Sequence, residues 1–245
     1  SIRHSQKLAP GELLIAEKEG VTITKYIEPK KQSFCVFEKL YFSQETSTWD
    51  GVIGENRESL GKELAREEAH RIQEGILDKN SIEKIDYVVA VPDTARPGTF
   101  AFYENLRDYM IALNYQPKFR YFRGLVKERY DFAKRTFIED DPYLRRKNIE
   151  KKFFVSPSVI GKSIYLIDDT AVRLNTYKIL VEHLFQIGVR EIHCRFLAPK
   201  FIHPCFLGVN IGSRKELGAV SAAKNGQFKV TPEEEIAKKL KVSSL

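Results

Sequence analysis

YLIDDTAVRLNT, residues Tyr165 to Thr176, decides the fold. An apolar run delivers two adjacent carboxylates, Asp168 and Asp169. A small, polar loop follows, and then a helical pattern begins. An apolar run stopped by acids reads as a buried parallel strand. The loop amides and the helix N-terminus make a phosphate cradle running through Thr170, Ala171, Val172, Arg173, Leu174, Asn175 and Thr176. Thr170, Asn175 and Thr176 add side-chain donors to it. Carboxylates next to a cradle of this kind repel an anion unless they bind hydroxyls or a metal. A phosphorylated ribose with Mg²⁺ meets both conditions, its 2- and 3-hydroxyls facing the acids and its 5-phosphate the loop. The other reading of the same residues is an acidic turn that caps a helix.

Working outward, YVVAVPD (Tyr87 to Asp93) is a second apolar run, stopped by a proline and an acid. EIHCRFLAP (Glu191 to Pro199) and KFRYFRGLV (Lys118 to Val126) read as further strands. Between them lie helical patterns. Arg57 to Ile76 puts Leu60, Leu64, Ala65, Ala69 and Ile72 on one face, residues 99 to 113 follow, and residues 176 to 187 end at Gly188, placed as a cap. TPEEEIAKKLKV predicts a short helix starting near Thr231, and residues 10 to 44 predict short strands around Gly11, Gly20 and Pro29. Strands alternating with helices predict an α/β fold with a mostly parallel sheet flanked by helices. In open sheets of that class ligands sit beyond the carboxyl ends of the strands, where Pro92-Asp93 and Asp168-Asp169 both fall. Residues 1–50 are expected to form N-terminal strands or a small hood, 51–218 the core, and 219–245 a polar tail with a short helix, all within one domain.

The 245 residues carry a net charge of +7, with 42% apolar and 30% charged content, enough to bury one sizeable core. No apolar run approaches the roughly 20 residues of a membrane span, and no signal peptide is visible, so no membrane is expected as a partner. Cys35, Cys194 and Cys205 lack close metal-ligand spacing and read as reduced thiols of a cytoplasmic protein. The positive charge suits an anionic ligand or nucleic acid. Nucleic acid is the weaker expectation, because the basic residues gather in one charge-dense stretch, Lys127 to Lys152, with Arg129, Arg135, Arg145 and Arg146. Taken alone, that stretch is a solvated loop. The chain opens at Ser1 with Met110 as its only methionine, which fits a removed initiator or a segment of something longer.

Further motifs carry a resemblance. CVFEKLYFSQETS (Cys35 to Ser47), Arg57-Gly61-Leu64-Ala65-Glu67, VPDT (Val91 to Thr94), KERYDFAKRTFI (Lys127 to Ile138), Leu144-Arg145-Ile149-Lys152 and HPCFLGVN (His203 to Asn210) occur in that order. With the Asp168-Asp169 loop they resemble the phosphoribosyltransferase domain of the glutamine phosphoribosylpyrophosphate amidotransferases of purine synthesis. The resemblance implies a type I phosphoribosyltransferase fold. It implies that Asp168 and Asp169 hold the ribose hydroxyls and help place Mg²⁺, and that Thr170 to Thr176 bind the 5-phosphate. Asp93 and Thr94 would sit at the diphosphate, with Lys127 and Arg135 closing over it from a mobile loop. For Arg145 and Lys152 a solvated face is an equal reading.

The chain also departs from that pattern. The resemblance covers no glutaminase half, and Ile2 to Ala16 is similar to the linker that follows it, so ammonia from glutamine is expected only through a separate glutaminase. Cys35 and Cys205 match two of the four cysteines that hold an iron–sulfur cluster in some members. Two thiolates do not complete such a site, so no cluster is expected, and a buried free cysteine is the plainer reading of each. The basic loop carries two extra residues and no glycine. Leu174 stands where the family has glycine, and Ala95-Arg96-Pro97-Gly98 alters the diphosphate loop. A glycine gives backbone close access to phosphate and takes a positive φ cheaply. Two readings of function follow. One is an enzyme that transfers phosphoribosyl from phosphoribosyl diphosphate (PRPP) to ammonia or a small amine; the other is a degenerate fold that binds PRPP or a nucleotide without turnover. Either could form a homo-oligomer.

Overall fold

The computed structural model describes residues 7–30, 33–48, 51–128, 151–222 and 227–245. The chain divides into two compact units, Ser1–Glu38 and Lys39–Leu245, a boundary nearer the N-terminus than residue 50. In the first unit β1 (Glu12–Glu17) and β2 (Gly20–Lys25) form an antiparallel hairpin, with Glu17 opposite Gly20. That is the hairpin predicted around Gly20. A short helical turn, Glu38–Phe42, lies where the two units divide.

The second unit contains α1 (Ile53–Gln73), α2 (Lys79–Glu83), β3 (Tyr87–Ala90), α3 (Arg96–Ala112), β4 (Arg120–Tyr121), β5 (Leu125–Lys127), β6 (Phe153–Val155), β7 (Ser163–Asp168), α4 (Asn175–Ile187), β8 (Glu191–Phe196), β9 (Val220–Ala222), β10 (Phe228–Val230) and α5 (Glu233–Leu240). Four strands in the order β4-β3-β7-β8 form the main sheet, and every neighbouring pair is parallel. The apolar runs are continuous because both faces of this sheet are covered. Alternate side chains go to opposite faces. Tyr87, Val89, Ile164, Leu166 and Ile192 pack with Leu180, Val181 and Leu184 of α4 and with Ile236 and Leu240 of α5. On the other face Val88, Tyr165 and Ile167 pack with Ala65, Ala69 and Ile72 of α1 and with Phe102, Leu106 and Met110 of α3.

Two details fix the second face. Helices α1 and α3 meet at glycines: a Cβ on Gly61 would lie 1.9 Å from the Gly98 carbonyl oxygen, and one on Gly98 would lie 2.8 Å from that of Arg57. The backbones touch because neither residue has a side chain. Deeper in that face Glu68 of α1 accepts from Arg195 of β8 (Nε to Oε2, 2.8 Å) and from the Tyr165 hydroxyl (2.8 Å). All three groups are buried, and together they bond one helix to two strands.

The predicted elements correspond to α1, β3, α3, β7, α4, β8 and α5, with shifted ends. The residue 219–245 stretch is more than a polar tail. It holds an antiparallel β9–β10 pair, and the apolar side of α5 belongs to the core. The β5–β6 pair is also absent from the sequence reading, since FFV is too short to show a period.

Candidate active site

Strands β3 and β7 are neighbours in register, with Ala90 opposite Ile167, so their carboxyl ends open at the same place. The turn after β3 carries Asp93 and Thr94, and the Pro92–Asp93 peptide bond is cis. The turn after β7 carries Asp168, Asp169 and the cradle. The Thr94 hydroxyl donates to Asp169 across the two turns. Asp169 also accepts from the Thr170 hydroxyl (2.9 Å), while its own amide donates to Asp168 (2.8 Å). Asp93 faces Arg96 at 3.2 Å and Lys127 at 3.4 Å. The two expected site turns and Lys127 therefore form one connected group.

The electrostatics of this group are costly without a counter-charge. Burial, and then the charge of Asp169, push the Asp168 carboxyl well above the usual carboxylate range. Burial raises Asp169 too, against the hydrogen bonds from Thr94 and Thr170 and the charge of Arg57. Lys152 enters the same field: burial and the neighbouring Lys127 lower its ammonium, while Asp168, Asp169 and Asp93 oppose them. It arrives beside Lys127 because β6 pairs with β5, the Glu128 amide donating to the Lys152 carbonyl at 2.9 Å.

Two further residues belong here that the sequence reading gave no role. Burial, and then the charges of Asp169 and Asp168, raise the Tyr41 phenol, so it lies within the field of the two acids. Arg57 is buried, and its guanidinium donates to the Lys39 carbonyl (3.1 Å) and the Ser43 carbonyl (2.8 Å), holding the Tyr41 segment on α1. Both lie inside the quoted motifs, Tyr41 in CVFEKLYFSQETS and Arg57 at the start of the next, and that was the available signal. Arg135, Arg145 and the rest of the basic loop from residue 129 to 150 lie outside the described residues.

The cradle runs from Thr170 into the N-terminus of α4. Among the described residues no acceptor is found for the backbone amides of Ala171 to Leu174, the condition an anion cradle needs. Leu174 caps the helix in the left-handed region, at φ 60° and ψ −12°. Its side chain packs on Gly218 and on the edge of the core. The guanidinium of Arg173 likewise turns to the Asn210 carbonyl and the Glu216 carboxylate. Among the described residues no group of three or more His, Cys, Asp or Glu side chains is arranged to hold a metal, and no helix is long and apolar enough to cross a membrane.

Sheet order, the paired acids and the cradle define a type I phosphoribosyltransferase fold. The chain is similar over most of its length to amidophosphoribosyltransferases. It is 30% identical to that of Bacillus subtilis across 88% of the chain, 33% identical to that of Rattus norvegicus across 88%, and 32% identical to that of Pyrococcus horikoshii across 86%. It spans only 38–41% of the length of those curated relatives. Among solved structures, the allosteric regulatory enzyme of purine biosynthesis aligns at a TM-score of 0.63 and 28% identity, covering 96% of this chain and 44% of that one. The B. subtilis glutamine PRPP amidotransferase complexed with ADP and GMP aligns at 0.60 and 29%, covering 96% and 45%. No family model matches the chain.

Proposed function

We propose that this chain transfers the phosphoribosyl group of PRPP to ammonia or a small amine. The bond between the anomeric carbon and the diphosphate oxygen breaks, a carbon–nitrogen bond forms, the nitrogen loses a proton, and diphosphate leaves. The observation that carries this reading is the pair Asp168-Asp169 at the mouth of an open amide cradle, with Asp93, Lys127 and Lys152 gathered opposite. In this scheme Asp168 and Asp169 hold the ribose hydroxyls, and Ala171 to Thr176 hold the 5-phosphate. The turn at Asp93 and Thr94 receives the diphosphate, and Lys127 and Lys152 neutralise its charge as it departs. Arg135 is assigned to the same end by resemblance alone. No strong base is required, because the difficulty lies in stabilising the leaving charge.

Mg²⁺ fits these residues. Burial raises both acids, and the charge of Asp169 adds to the rise at Asp168, so a cation would let both stay ionised beside an anionic substrate. Mg²⁺ is commonly held by one or two carboxylates together with substrate phosphates and water. When bound, it supplies charge neutralisation at the diphosphate. Nucleotides share the phosphoribosyl group, so the same cradle would accept a nucleoside monophosphate as a competitor. The non-catalytic alternative draws on Leu174 standing where the family has glycine; the Leu174 side chain lying against Gly218 and the core edge, away from the amides, supports the catalytic reading over it.

The test is diphosphate release from Mg²⁺-PRPP with ammonium at raised pH, where free NH₃ is present. Asp168→Asn should weaken PRPP binding by about tenfold or more, since losing a charged hydrogen bond typically costs roughly 1.5–3 kcal/mol. Unchanged affinity by calorimetry would remove Asp168 from the ribose site. No diphosphate release with any amine would leave a binding protein.

A further inference from the structure

Three successive residues of the cradle loop are tied to one segment far along the chain. The Val172 carbonyl accepts from the Gly218 amide at 2.7 Å. Arg173 pairs with Glu216 and donates to the Asn210 carbonyl. Glu216 is itself held by the Ser213 amide at 3.0 Å. The Leu174 side chain fills the space that a side chain at 218 would need: a Cβ there would lie 2.4 Å from Leu174 Cγ and 2.5 Å from Cδ1. The loop's outward-turned side chains thus face the 210–218 segment, while the amides of Ala171 to Leu174 keep no internal acceptor.

We propose that Leu174 and Gly218 are a matched pair that positions the phosphate cradle, Leu174 acting as a positioning residue anchored through its side chain. The inference rests on the phosphoribosyl reading and adds to it. A glycine at 174 would adopt the left-handed conformation freely, but it would leave the loop without this anchor and free to sample other conformations. The leucine accepts an unfavourable φ, and packing on Gly218 and the core edge holds it there, so the amides are set before the anion arrives. Leu174 is therefore part of the site's construction and no sign of decay.

The experiment is a double-mutant cycle read by calorimetry with ribose 5-phosphate, a probe that needs neither diphosphate nor turnover. Wild type, Leu174→Gly, Gly218→Ala and the double variant are compared below their thermal midpoints. Each single variant should lose affinity by about tenfold, as a preorganised site does when it is loosened. In the double variant the alanine should add no further loss, because its neighbours at 174 are gone. If Gly218→Ala does not fold, Leu174→Gly alone decides: affinity that is unchanged or tighter overturns the inference. Additive losses in the double variant overturn it as well. A wild-type protein that does not bind ribose 5-phosphate overturns the phosphoribosyl reading itself and this inference with it.

Discussion

Asp168 shows what a buried pair of acids costs a fold. Its carboxyl is pushed upward by burial and by Asp169, so the folded chain holds that proton more tightly than the unfolded chain does. Stability is then greatest at low pH for this group and falls as pH rises from the ordinary carboxylate value through the raised one. In metal-free buffer Asp168→Asn should raise the thermal midpoint at neutral pH, by roughly 2–4 °C for each kcal/mol recovered. The gain should vanish in acid, where wild-type Asp168 is already neutral. Asparagine can still accept from the Asp169 amide, so the comparison isolates charge. An equal gain at both pH values would show that charge is not the cause. At this scale the acids were legible, because paired carboxylates at a strand end are a local pattern. The direction of the Leu174 side chain was not, because it depends on a glycine at 218 that no local pattern connects to it.

Among the elements, the contact between α1 and α3 lies next to the turn that opens the candidate site. Gly98 lies in the first turn of α3, directly after the turn that carries Asp93 and Thr94. Gly61→Ala would place a methyl against the Gly98 carbonyl, where backbone cannot yield cheaply. Overpacking of this kind typically costs about 1–3 kcal/mol. The midpoint should fall, and under the proposed function KM for PRPP should rise as well, because the turn at Asp93 and Thr94 leads directly into α3. A lowered midpoint with unchanged KM would show that the turn is positioned by its own bonds. The main strands and helices could be read because each has a long period or a continuous apolar run. The β5–β6 and β9–β10 pairs escaped, since three-residue strands are held by their partners and carry no period of their own. That gap mattered, because β6 is what delivers Lys152.

Across the whole molecule, the two faces of the sheet differ in kind. One is almost wholly apolar, while the other contains Glu68, Arg195 and Tyr165, with His193 close by. Burial, and then the charge of Arg195, lower the His193 imidazole to about 4, against the opposing charges of Glu191 and Glu68. The unfolded chain therefore takes up a proton near the ordinary value of about 6.5 that the folded chain refuses until near 4. Stability should fall as pH drops through that window, by at most roughly 3 kcal/mol. His193→Gln should flatten that part of the curve, measured as denaturation midpoint against pH. A slope left unchanged by the substitution would assign the acid sensitivity to other groups.

The Glu68–Arg195 bond joins residues 127 positions apart in the chain. At about 5–20 residues per second, a ribosome would need roughly 6 to 25 s to make that intervening stretch. For that interval α1 exists with an acid on its inner face and no base to meet it, and β7, once made near its end, has one edge without β8. The nascent chain can shape its first helices early, but it cannot close the sheet over them until β8 has emerged. The buried ion pair is thus completed late in synthesis, after both acids of the site have been made and before the 210–218 segment that holds the cradle loop.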